Sequence, residues 1–235
     1  MKGEKKYLNL LSIFLVYISW IIITELIPYI KHIYDFHKIN RWILPAIRMT
    51  LMLLVTFFYA RFYEKRSFTS GFNFSFQKIG KNIFWAVIFF VGTGIFVLAY
   101  QAFIVKPLTK KFVIASSGIS REVARPFIER LIEYLYIVYE GIIEVLIFIG
   151  FLLDRLARKW GWTAAIIVSN VAFAFWHFHY WRSGWLNGSL MIILTFLIGV
   201  GTSLCYAKTK NSMGPVLLHT MMDSPMSIRI LLGMM

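Results

Sequence analysis

The chain has 235 residues, of which 59% are hydrophobic and only 15% charged, with a mean hydropathy of +0.68. A soluble domain of this length carries about 25% charged residues, so lipid is the expected solvent. The formal charge of +14, from 25 basic and 11 acidic residues, has no basic stripe with interleaved aromatics outside the apolar runs, and nucleic-acid binding is excluded.

In chain order, a basic start, Met1 to Lys6, precedes a long apolar run that reads as a retained first helix and not as a signal peptide. At about 20 apolar residues per span, seven candidate spans follow: Tyr7–Ile30, Trp42–Tyr63, Ile83–Val105, Phe127–Leu153, Trp162–Trp181, Leu190–Ala207 and Met213–Leu232. The expected fold is an all-α polytopic transmembrane bundle of about seven, at most about eight, crossings. Residues 1–235 form one integral-membrane domain, multi-pass in the cell membrane and surrounded by membrane lipids. Between spans two and three, Phe72, Phe74 and Phe76 alternate and are expected at the interface. Ser116 to Gly118 predicts a turn, and Pro126 a helix start. Trp181 and Trp185 flank Arg182 as an interfacial belt. The basic residues divide almost evenly between the two sets of loops, the last short ones favouring a cytoplasmic amino terminus. Cys205 is the single cysteine, which excludes an internal disulfide.

Ionisable groups inside a span cost several kcal/mol unless paired or wetted, so each is a candidate site residue. On the fourth span Glu133, Glu140, Glu144 and Arg155 fall on one stripe at about 100° per residue. Glu144 is the deepest of the three carboxylates; for Glu133 and Glu140 a structural polar seam is the plainer reading. The fifth span places Asn170, Phe173 and His177 on one face, with His179 about 200° away, so the two histidines cannot chelate one metal while the segment stays helical. The seventh carries His219 and Asp223 one turn apart, where the carboxylate can fix the imidazole tautomer or help polarise a substrate. Convergence of Glu144, His177, His219 and Asp223 would suffice to activate a water and hold an oxyanion.

The run from Glu144 through Gly150 to Arg155, then Phe173-Ala-Phe-Trp-His177, then His219 to Asp223 resembles the CAAX protease and bacteriocin-processing family, also called CPBP or Abi. Its pattern is Glu-Glu-x-x-x-Arg-Gly, Phe-x-x-x-His and His-x-x-x-Asn or Asp. The second and third motifs match, within helices spanning 127–232. The first is half present, with Val145 in place of the second Glu and Ile149 in place of the Arg. The resemblance implies a glutamate-dependent intramembrane endopeptidase that needs no metal or cofactor and acts on a membrane-associated protein or peptide. Glu144 and His177 would activate the water, and His219 and Asp223 would stabilise the oxyanion. Glu140, Asn170, Phe173 and Arg155 would support them, with Glu140 and Arg155 compensating for the missing pair. A degenerate scaffold, immunity or regulatory relative is the first alternative, and zinc-dependent hydrolysis by the same four side chains the second. No Gly-x-Ser-x-Gly occurs, and Gly199-Val-Gly201 is followed by Thr202 where an aspartyl enzyme would need Asp.

Overall fold

The computed structural model of the chain describes residues 10–33, 43–109 and 126–232. The basic start and the turn expected at Ser116–Gly118 lie outside the described residues. In lipid every backbone N–H and C=O must be satisfied within its own segment, and the apolar runs accordingly fold as helices. Among the described residues there is no strand, and seven helices have sixteen residues or more. They are α1 Leu10–Ile33, α2 Ile43–Phe58, α3 Ile79–Tyr100, α4 Phe127–Glu144, α5 Asp154–Trp176, α6 Trp185–Thr209 and α7 Met213–Leu232, and each overlaps one expected span. Pro126 stands at the cap before α4, as its fixed φ favours.

Among the described residues, four helical stretches are long and apolar enough to cross a membrane: Ile43–Tyr63, Ile79–Thr109, Phe127–Trp176 and Trp185–Thr209. This is a membrane protein. α1 runs for 24 residues, Leu10–Ile33, and includes the apolar stretch Leu11–Thr24. The last helix, α7, breaks its apolar run with His219, Thr220, Asp223 and Ser224, and the fourth and fifth expected spans run together. The joined stretch is not one rod. Gly161 takes φ 78° and ψ 169°, a conformation only glycine adopts without strain, and the chain folds back on itself there. Phe148 consequently meets the rings of Phe173 and Trp176 at 5.3 and 6.1 Å. A continuous helix would hold residues 25 apart at about 38 Å.

Between α4 and α5, Val145–Leu153 winds as a π-helix, and all nine of its residues are buried. Trp20 of α1 packs on Phe148 and Phe151, at 5.3 and 6.2 Å. Tyr59, in the π-helical end of the second span, adds an edge contact to Phe151 at 5.6 Å. Gly150 is needed because the Phe72 carbonyl and the Ser212 hydroxyl lie where a Cβ would stand. The expectation that Phe72, Phe74 and Phe76 all lie at the interface is corrected here. Phe72 is fully buried and only Phe76 is well exposed, because Ser212 ties the segment down. Its hydroxyl donates to the Phe72 carbonyl and its N–H to that of Asn73, the latter at 2.9 Å.

Arg155, buried at this end of the bundle, pairs through both arms with Glu64, Nε to Oε1 at 2.8 Å, and its Nη1 donates to the Phe151 carbonyl at 3.1 Å. Its guanidinium also lies 3.9 Å from the centre of the Phe151 ring. Beside it Tyr206 donates to Asp154 at 2.9 Å and accepts from Asn73 at 2.7 Å. Breaking one side of a buried ion pair costs about 3–5 kcal/mol, whereas an apolar replacement of both sides is often neutral. Glu64→Gln is therefore expected to lower unfolding stability in detergent by an amount of that order, and Glu64→Leu combined with Arg155→Met to recover most of it.

Candidate active site

Glu144 closes α4, and its carboxylate is only 6% exposed. Its two oxygens face two different imidazoles. Oε1 lies 3.6 Å from Nε2 of His177, and Oε2 lies 3.6 Å from Nε2 of His219. The same His219 nitrogen is 3.4 Å from Oδ2 of Asp223. These separations are longer than a well-formed N–H···O bond.

The position of His177 follows from how α5 ends. At Trp176 the helix tightens, and the His177 N–H donates to the Ala174 carbonyl at 3.0 Å, not to that of Phe173. The Phe173 carbonyl is thereby one of the orphan acceptors of a helix terminus, and Nδ1 of His177 contacts it at 3.0 Å. A carbonyl can only accept, so Nδ1 must carry the proton. In the neutral ring this leaves the Nε2 lone pair facing Glu144. Tyr180 stacks on the same imidazole at 5.4 Å, from a 3-10 turn over Phe178–Ser183. His179 lies in that turn, its ring 5.9 Å from that of His177, so the helix expected to reach Trp181 ends five residues earlier.

His219 reaches Glu144 because α4 and α7 approach closely at Gly141. A Cβ on that glycine would stand 3.0 Å from Cδ2 of His219 and 3.2 Å from Oδ2 of Asp223. Phe173 sets its ring edgewise against both imidazoles, at 5.0 Å from His177 and 6.0 Å from His219. A small cavity of about 10 Å³ is lined by Glu144, His219 and Phe173 together with Val145 and Ile149, and His177 is not among its lining residues.

The supporting residues separate into different places. Glu140, one turn before Glu144, pairs with Arg48 of α2 at 3.3 Å. The buried Asn170 donates to Ser203 at 2.9 Å and to the Ile166 carbonyl at 2.7 Å, with Gly199 packed against its Oδ1, so it joins α5 to α6. Glu133 is wholly buried nearer the start of α4. Arg155 does not come to the site. Its partner is Glu64, because the i→i+5 turns of Val145–Leu153 advance each residue by less than an α-helix does and carry Arg155 off the stripe. Arg48 and Gly141 were not among the expected site residues. Arg48 had a signal, being the sole charge in the sixteen residues of α2. Among the described residues no group of three or more His, Cys, Asp or Glu side chains is arranged to hold a metal ion.

Over-packing at a helix contact costs about 1–3 kcal/mol. Gly141→Val is accordingly expected to lower the thermal unfolding temperature in detergent, by driving α7 from α4. Gly92→Ala, on α3 with nothing within 4 Å of a new Cβ, is expected to leave it unchanged or slightly raised.

Residues 129–224 match the family model described as Rce1-like, type II CAAX prenyl endopeptidase. No curated protein and no solved structure gave a significant match. The matched stretch includes Glu144, His177, His219 and Asp223, and it leaves out α2 with Arg48.

Proposed function

We propose, starting from a chain that belongs through its residues 129–224 to the CAAX protease (CPBP/Abi) family of membrane endopeptidases, that it hydrolyses a peptide bond of a membrane-associated protein or peptide in the cell membrane. The observation that carries this reading is the pair of 3.6 Å approaches from the two oxygens of Glu144 to the Nε2 atoms of His177 and His219. A water lodged beside Glu144 can donate one hydrogen to the carboxylate and the other to the lone pair of His177. Transfer of one proton to Glu144 leaves hydroxide to attack the carbonyl carbon of the substrate, and the C=O π pair moves onto oxygen. His219 can present its Nε2–H to that oxyanion, with the Asp223 carboxylate, 3.4 Å from the same nitrogen, favouring its protonated form. When the tetrahedral species collapses, the C–N bond breaks and the amine takes the proton held by Glu144. The products are a carboxylate and an amine, with one water consumed.

The roles of Glu140, Asn170 and Phe173 are supporting ones in this reading. Phe173 acts twice, through its carbonyl on the His177 tautomer and through its ring on both imidazoles. Val145 and Ile149, 2% and 3% exposed, favour the second reading of a scaffold that binds its partner without cutting it. They replace the family's charged pair with apolar wall.

The test uses the full chain in proteoliposomes with two probes, a farnesylated peptide ending in a CAAX sequence and an unprenylated membrane-anchored peptide. Glu144→Gln and His177→Ala are each expected to lower the cleavage rate by about 10²–10⁴ while eluting and unfolding as the wild type does. Undiminished cleavage by either variant would sink the mechanism. Full biological function of Glu144→Gln would move the assignment to the scaffold. Cleavage is further expected to persist at an unchanged rate in millimolar chelator; its loss would revive the zinc-dependent alternative.

A further inference from the structure

Arg48 touches the immediate neighbours of both halves of the proposed water-activating pair. Its Nη2 lies 3.3 Å from Oε1 of Glu140, one helical turn before Glu144. Its guanidinium carbon lies 5.6 Å from the ring centre of Trp176, the residue directly before His177. A second tie runs beside it, from the Thr50 hydroxyl to that of Tyr139 at 2.6 Å. Two side chains of α2, two residues apart, thus hold the last turns of α4. An arginine reaching for lipid headgroups would extend into water, yet this side chain is only 22% exposed. The fork and the flat face of a guanidinium suit this double contact with a carboxylate and an indole, and an ammonium could supply only the charge.

We infer that Arg48 is a positioning residue of the proposed peptidase, holding the turn of Glu144 and the Trp176–His177 junction at a fixed separation, so that the functional unit extends to α2. The inference rests on the proposed hydrolysis. Without Arg48 the Glu140 carboxylate, one turn from Glu144, would lose its ion pair and be left with the hydrogen bond with Tyr136. It would then have to swing away, take up a proton or repel the carboxylate that the reaction uses.

Cleavage of the farnesylated probe by the full chain in proteoliposomes tests it, with kcat and KM measured separately. Misplacement of reacting groups by about 1 Å can cost about 10²-fold in rate. Arg48→Met is expected to lower kcat by about 10- to 100-fold and to leave KM within about twofold. Arg48→Lys is expected to fall between Arg48→Met and wild type, because charge returns without the stacking. The double variant Arg48→Met with Glu140→Gln is expected to be no slower than Arg48→Met alone, since both disable one unit. Wild-type cleavage accompanied by an unchanged kcat in Arg48→Met overturns this inference alone, as does a loss confined to KM. A wild type that cuts neither probe overturns the proposed function and this inference with it. If Arg48→Met fails to fold, Arg48→Lys decides, and a wild-type kcat there, at unchanged charge, overturns the role of the stacked fork.

Discussion

A carboxylate that is only 6% exposed inside an apolar bundle sets the terms for everything packed around it. Its charge must be met by polar groups brought from elsewhere in the chain, and those groups arrive on three separate segments. The end of α5 delivers His177, α7 delivers His219 and Asp223, and the turn of α4 before Glu144 holds Glu140 with its partner on α2. Close helix approach makes this possible. Gly141 admits α7, and Gly199 admits the amide of Asn170; small residues serve this purpose where lipid provides no hydrophobic drive between helices.

The two ends of the α4–α5 hairpin are built on different principles. Toward Gly161 the polar groups satisfy one another almost completely, with Arg155 on Glu64 and Asp154 on Tyr206. Toward Glu144 the imidazoles and carboxylates stand further apart than direct bonds would place them, and exposure rises from 6% at Glu144 to 37% at Asp223. Between the two lies the apolar π-helical plug. Val145 and Ile149 belong to that plug, which explains how the chain tolerates them physically. Apolar residues at both positions of a buried contact can be as stable as a charged pair of similar volume, and both positions are apolar here.

Much of this was legible in the sequence. Hydropathy located the helices, and the rule that an ionisable group in a span needs a reason picked out Glu144, His177, His219 and Asp223. What it missed has identifiable causes. A constant 100° per residue placed Arg155 on the stripe of Glu144, and nine residues of π-helix undid that phase. Alternation put Phe72 at the interface, but the backbone bonds from Ser212 that pull it inward join residues about 140 positions apart. Arg48 was visible as a lone cation in an apolar run, yet only the packing of α2 on α4 shows which carboxylate it meets. The tautomer of His177 depends on where a helix stops, to within one residue, and helix ends are what periodicity reads least well.

The fold-back at Gly161 also bears on the order in which the protein comes into being. Phe148, Phe173 and Trp176 lie within 28 residues of one another along the chain, so the hairpin that carries Glu144 and His177 can close before α7 is made. His219 follows some forty residues later, a delay of about 2–8 s at ordinary rates of synthesis. Until α7 docks against Gly141, the nascent chain holds Glu144 and His177 without His219 and Asp223. The cluster of carboxylates and imidazoles is therefore complete only after α7 has been made and packed against α4.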